Sequence, residues 1–347
     1  MQKDSRISGL DLLRGIAILL VIFRHGDVYN IITKFGWLGV DLFFVLSGFL
    51  VSGLLFREYL SSGKARIGRF LIRRGFKIYP AYYIFVIFSI AFHYYQTGQS
   101  YLKNELLSEI FYLQTYLPHV WDHTWSLAVE EHFYLALALL IPIWIKTKAI
   151  DNRPLMIGSF IVLLIGTFLM RLQISLPHKT EDFFPFSQTH LRMDGILIGV
   201  LCSYLYHFTT FFKTFLKWKY FFLLLSFVLV LPGFLYDGGT FNMNTFGLTT
   251  VNFGFGIWLL FSLQKIETGS VLNSVIIKYP FRMLCFIGVH SYSIYLWHMV
   301  AKDIVLHYGM SDARTFVFYV PAAIILGILL SFAIERPFLL LRDKFFK

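Results

Sequence analysis

Two ionisable residues, Arg14 and His25, stand inside the first apolar run, DLLRGIAILLVIFRH. Such groups are costly in a membrane segment and usually mark function. An arginine can grip an anionic head group, phosphate above all, through its planar fork of donors. An imidazole can take a proton from a hydroxyl. Helical steps of 100° bring the two almost onto one face, and at ~1.5 Å per residue they stand roughly 16 Å apart along the axis, so they could address opposite ends of one long ligand. A second acid/base source is TWSLAVEEHFY, where Glu130 and Glu131 open a later apolar run. A carboxylate beside an imidazole raises its basicity and fixes its tautomer. Adjacent helical residues point about 100° apart, so one glutamate is expected to face His25 while the other holds a helix partner or caps its span. The order of residues does not say which does which.

The elements that must position these groups are membrane helices. Hydrophobic residues make up 57% of the 347, aromatics 19% and charged residues only 15%, with 39 Phe, a composition far from the globular norm. Apolar runs occur near 10–32, 36–56, 76–96, 127–145, 155–173, 190–208, 219–236, 245–264, 283–301 and 316–334. Each approaches the ~20 residues that a hydrocarbon core of ~30 Å requires. The expected fold is therefore an all-α polytopic membrane protein of about ten transmembrane helices. The first run lacks a small-residue cleavage site and reads as a retained helix. Cationic loops alternate with cation-poor ones: Arg57, Lys64, Arg66, Arg69, Arg73, Arg74 and Lys77 between the second and third runs, but only Lys103 between the third and fourth. Lys146, Lys148 and Arg153, then Lys213, Lys217 and Lys219, then Lys265, Lys278 and Arg282, then Arg336, Arg342, Lys344 and Lys347 continue the pattern, which places both termini in the cytoplasm. The net charge of +11 is thus a topology signal, and no soluble basic face for nucleic acid is found. Residues 1–347 read as one membrane-embedded domain, and a short basic tail after the last run leads us to expect no fused periplasmic domain. Cys202 and Cys285 lie in apolar stretches, where a thiol packs as a small hydrophobe.

Sorted by depth on this topology, polar residues form two layers. Asp11, Arg14, Arg69, Arg73, Arg74, Lys77 and Glu335 lie toward the cytoplasm; His25, Asp41, Glu130, Glu131, Arg171, His190, Arg192, Asp194 and His298 lie toward the outer face. The cationic inner layer suits a phosphorylated cytosolic ligand, and the outer layer suits acid/base chemistry. Arg57, Lys64 and Arg66 read as lipid anchors, whereas Arg73, Arg74 and Lys77 fit either ligand or lipid phosphate. For Arg14 a ligand role competes with an ion pair to Glu335 or Asp11. His298, in YLWHM, should lie level with His25 and could orient an acceptor, though Trp and His also anchor spans at the interface. Arg171 is a candidate partner for Asp194, since Arg192 stands only two residues from it. Asp41 suits a helix N-terminus. Ser47, next to Gly48, is a helix-packing residue or an acyl carrier. Trp121, Trp125 and Tyr134 suit sugar stacking or an interface belt. His and Cys show no metal-ligand spacing, so no metal is expected.

These residues carry a resemblance. ISGLDLLRGIAILLVIFRH, WLGVDLFFVLSGFLVSGLL, RFLIRRGFKIYPAYY, TWSLAVEEHFYL, HLRMDGILIGVL, HSYSIYLWHM and the closing IERP run nearly end to end. Together they are similar to the acyltransferase-3 family, which includes bacterial O-antigen and exopolysaccharide O-acetyltransferases. The resemblance implies a ten-helix core in the bacterial cytoplasmic (inner) membrane. It would take an acyl group, usually acetyl, from cytosolic acyl-CoA and place it on a hydroxyl of a carbohydrate or lipid-linked glycan. The family's paired Arg and His match Arg14 and His25, and its acidic motif matches Glu130 and Glu131. Lys77 departs from the family's Arg-rich pattern before the third span; it keeps the charge and loses the fork. The expected mechanism docks coenzyme A phosphates near Arg14, Arg73 and Arg74 and delivers the thioester to His25 for direct attack by the acceptor hydroxyl. A covalent relay on His25 or Ser47 is the alternative chemistry. A proton-coupled transporter is the alternative class, disfavoured because no internal repeat is visible.

Overall fold

With little water to bond to, the backbone of so apolar a chain must satisfy its own donors and acceptors, and the helix does so within one segment. The computed structural model describes residues 8–26, 34–178, 187–264, 275–307 and 313–346. Among them every regular element is helical and no strand occurs. In chain order the helices are α1 (Ser8–Arg24), α2 (Leu38–Ser62), α3 (Ile67–Thr97), α4 (Lys103–Ile110), α5 (Trp125–Lys146), α6 (Arg153–Ser175), α7 (Thr189–Phe208), α8 (Phe211–Lys217), α9 (Lys219–Val230), α10 (Leu248–Ser262), α11 (Val275–Val289), α12 (Ser291–His307), α13 (Ala313–Leu330) and α14 (Arg336–Phe345).

Among the described residues six helices are long and apolar enough to cross a bilayer: α2, α3, Asp122–Lys146, α6, Met243–Ser262 and Thr315–Phe345. Two bent pairs bring the number to eight if each is one span: α7 with α8, bent by 97°, and Lys278–Val289 with α12, bent by 81°. The ten apolar runs therefore map onto helices of unequal kind. Run 10–32 is helical through Arg24, and residues 27–33 lie outside the described residues, as do Lys265 and Lys347. Run 219–236 is α9 followed by a single turn at Pro232–Leu235.

The chain divides into two compact units, residues 1–43 with 257–340 and residues 44–256 with 341–347. In the first, α1 meets α11 backbone to backbone. A Cβ on Gly15 would strike the Leu284 carbonyl oxygen, and one on Gly288 would strike that of Asp11. Small residues at such a crossing give membrane helices the close approach that lipid cannot drive by hydrophobicity. α13 lies against α12, with Gly327 at Ile294, and leads into a π-helical turn at Ser331–Glu335. In the second unit, α2 and α7 cross the same way, Gly48 at the Ile196 carbonyl and Gly199 at that of Val45. Arg171 of α6, fully buried, pairs with Asp194 of α7 at 2.9 Å, and Thr249 bonds to both. This is the partner anticipated for Asp194.

Candidate active site

In the first unit, α1 delivers Arg14 from its interior and His25 just past its end. The amide of His25 closes onto the Ile22 carbonyl at 3.1 Å and that of Gly26 onto Phe23 at 3.3 Å, a tightened last turn that stops the helix. The half-buried His25 ring bonds through Nδ1 to the Val21 carbonyl at 2.9 Å. A carbonyl only accepts, so the proton sits on Nδ1, and in the neutral ring Nε2 holds the basic lone pair. The tautomer fixing expected from a carboxylate is thus supplied by the chain's own backbone. His298, fully buried on α12, lies beside it with ring centroids 5.1 Å apart and planes tilted by 58°. Its Nδ1 contacts the Tyr295 carbonyl at 2.5 Å, so both rings spend the same nitrogen in the same way. The placement of His298 beside His25 agrees with the order of residues.

Arg14 is largely buried and stands 4.0 Å from the Asp11 carboxylate, one turn earlier. Glu335, the other partner considered for it, accepts instead from Ser293 at 2.8 Å and Ser331 at 3.2 Å.

In the second unit, the acidic motif divides its work among three helices. Glu130 accepts from the Tyr134 hydroxyl at 2.6 Å, and that hydroxyl lies 2.6 Å from Ser47 of α2. Glu131 accepts from Tyr79 of α3 at 3.0 Å. His132, the next residue, meets Thr189 of α7 at 2.7 Å. Successive 100° steps around α5 thus turn Glu130, Glu131 and His132 toward α2, α3 and α7. The Arg74 guanidinium lies 5.6 Å from the Tyr134 ring centroid, within cation–π range, and the charges of Arg74 and Lys77 act on Glu130. Arg73 turns elsewhere: it pairs with Asp343 at 3.3 Å and donates to the Phe346 carbonyl. The three cations expected to act together are therefore split, Arg74 and Lys77 toward Glu130 and Arg73 toward the C-terminal residues.

The remaining candidates find structural places. Arg192 lies over Phe44 and Trp125 at 5.8 and 5.3 Å, and Asp41 is buried in the first turn of α2. Glu109 was missed altogether. This buried carboxylate accepts from Tyr82 at 2.6 Å, Gln114 at 2.8 Å, Thr124 at 3.2 Å and the amides of Val120 and Trp121 at 3.0 and 3.4 Å. It gathers donors from the 111–124 connection, yet nothing distinguishes it in sequence from Glu105, the other glutamate of KNELLSEIFY. Among the described residues no group of three His, Cys, Asp or Glu could hold a metal.

The Acyl_transf_3 family model, an acyltransferase domain, matches residues 7–336. The chain is 26% identical over 369 residues to a protein of Staphylococcus aureus (strain COL) provisionally named an O-acetyltransferase, covering 97% of this chain and 58% of the relative. It is 28% identical over 321 residues to the O-acetyltransferase OatA of Staphylococcus aureus (strain NCTC 8325 / PS 47), covering 86% and 51%. It is 25% identical over 334 residues to the peptidoglycan O-acetyltransferase OatA of Listeria monocytogenes, covering 86% and 50%. The chain thus spans between half and three fifths of the length of these relatives. No solved structure matches it.

Proposed function

The chain belongs to the Acyl_transf_3 family of acyltransferase domains, and on that premise we propose that it is a membrane O-acyltransferase. It moves an acyl group, acetyl in the simplest case, from cytosolic acyl-CoA to a hydroxyl of an extracytoplasmic or lipid-linked carbohydrate. His25 Nε2 takes the proton of the acceptor hydroxyl as its oxygen attacks the thioester carbonyl carbon. The C–S bond breaks, the imidazolium returns the proton to the leaving thiolate, and an O-acyl ester and free coenzyme A result. Arg14 grips the donor's anionic end. Arg73, Arg74 and Lys77 are donor-binding cations in this scheme, Arg73 after exchanging Asp343 for phosphate. Glu130 and Glu131 hold the acidic helix in register and complete the acid/base set.

One observation carries the assignment: the Val21 carbonyl holds the His25 ring in the tautomer of a general base, immediately after the helix that bears Arg14. Transfer is direct, without an acyl-enzyme. The topology proposed with it is ten spans in the bacterial cytoplasmic membrane with both termini in the cytoplasm, following the alternation of Lys and Arg. A carbohydrate acceptor is supported by the Listeria relative, which is named a peptidoglycan O-acetyltransferase.

The test uses purified protein in vesicles with acetyl-labelled acetyl-CoA, together with mass spectrometry of surface glycans from cells with and without the chain. His25→Ala should remove transfer while donor binding survives, and Arg14→Ala should weaken donor binding first. Unimpaired acylation by both variants removes the assignment. Label that stays on the protein once free donor is washed away replaces direct attack by a relay.

A further inference from the structure

We infer that the buried network His290–Ser331–Glu335–Ser293 sets where His298 stands beside His25, so that Glu335, Ser331 and Ser293 are positioning residues for transfer. The inference rests on the role proposed above for His25. His290 is the one residue between α11 and α12, at the 81° elbow. Its Nδ1 lies 2.8 Å from Ser331 Oγ, Ser331 Oγ donates to Glu335 Oε2 at 3.2 Å, and Ser293 Oγ donates to the same oxygen at 2.8 Å. Ser331 has one proton to give, so with Glu335 as its acceptor it receives from His290 Nδ1–H. The donors then run in one sense along the chain: imidazole to hydroxyl to carboxylate, with a second hydroxyl arriving from α12.

The network clamps both sides of the elbow. Ser331 and Glu335 open and close the π-helical turn after α13, a geometry frequent at functional sites. Phe286 and Phe332 enclose the His290 ring with centroids at 4.8 and 4.9 Å. All four polar residues are buried. Well-packed apolar side chains would stabilise such a place as well or better; what a fully bonded polar network adds is a single geometry.

That geometry reaches the imidazole pair through a rigid arm. His298 lies on α12 eight residues after His290, ~12 Å at the helical rise, so a change of about 10° in the elbow displaces it by roughly 2 Å. The two rings are 5.1 Å apart. A misplacement of about 1 Å in a catalytic arrangement can cost on the order of 10²-fold in rate. A small rotation at the network is therefore a large change at His25.

The kinetic test compares Glu335→Gln and Ser293→Ala, each alone and combined with His298→Gln. Alone, each should lower kcat about ten- to a hundredfold with the KM for acetyl-CoA within about twofold; in the His298→Gln background the same substitutions should have little further effect. Equal fold losses in both backgrounds, or a raised KM with kcat intact, overturn the inference. A second measurement needs no activity. In a chain with Cys202→Ala, Cys285→Ala, His25→Cys and His298→Cys, a one-carbon bis-methanethiosulfonate should bridge the two introduced thiols, and Glu335→Gln or Ser331→Ala should reduce the yield several-fold. An unchanged yield refutes the positioning role. Inactive wild-type protein together with a Glu335-dependent bridge would instead refute the acyltransfer assignment alone.

Discussion

The imidazoles of the first unit and the carboxylates of the second are oriented by opposite means. His25 and His298 each bond a backbone carbonyl three or four residues back on the same stretch of chain. Glu130 and Glu131 are bonded by phenolic hydroxyls, Tyr134 one turn along α5 and Tyr79 on α3. No point mutation elsewhere deletes a carbonyl, so the orientation of each imidazole is local and robust. A tyrosine can be replaced, so the state of each carboxylate depends on its neighbours. The difference suits a division in which the imidazole performs the proton transfer and the acidic motif ties helices together while keeping charge at a set place.

The contrast can be broken most sharply at His25. His25→Ala should cost about 10³-fold in transfer, within the range for loss of a general base, whereas Glu131→Gln should cost far less; label transfer to acceptor measures both. Equal losses would make the carboxylate the reacting group and dissolve the contrast. Next in size, Tyr134→Phe removes the hydroxyl that links Ser47 to Glu130. Hydrogen bonds to charged groups contribute about 1.5–3 kcal/mol, so the unfolding midpoint in detergent should fall by a corresponding amount. Tyr79→Phe should be milder, because its bond to Glu131, at 3.0 Å, is longer than the 2.6 Å bond of Tyr134 to Glu130. Ser47→Ala should leave transfer within about threefold, the cost of one neutral hydrogen bond at the low end; a loss near that of His25→Ala would make Ser47 an acyl carrier. The smallest effect is expected from Asp343→Asn. It loosens the hold on Arg73 and should lower the KM for acetyl-CoA modestly if Arg73 serves the donor.

Much of this was legible because it depends on helical period and the cost of burial. The level of His298, the Arg171–Asp194 pair and the place of Asp41 all follow from those two rules, whereas the helix that carries Arg14 stops at Arg24, one residue short of His25. Bends were not legible. Hydropathy counts apolar residues without registering direction, so the runs 190–208 and 283–301 look like ordinary spans although the helices they belong to turn by 97° and 81°. Nor was the chain of hydroxyls at Glu130, since Ser47 lies 87 residues from Tyr134 and only folding brings them together. Glu109 escaped for the same reason: two of its donors are main-chain amides, which any residue type would supply.

The crossing of α1 and α11 bears on motion. Where Gly15 and Gly288 let carbonyl oxygens touch the opposite chain, there is no side chain to compress or swing aside, and sliding or spinning one rod against the other drives main-chain atoms into collision. Any conformational cycle must carry the two rods as a single body. Rocking of one rod against the other could not open a path between them.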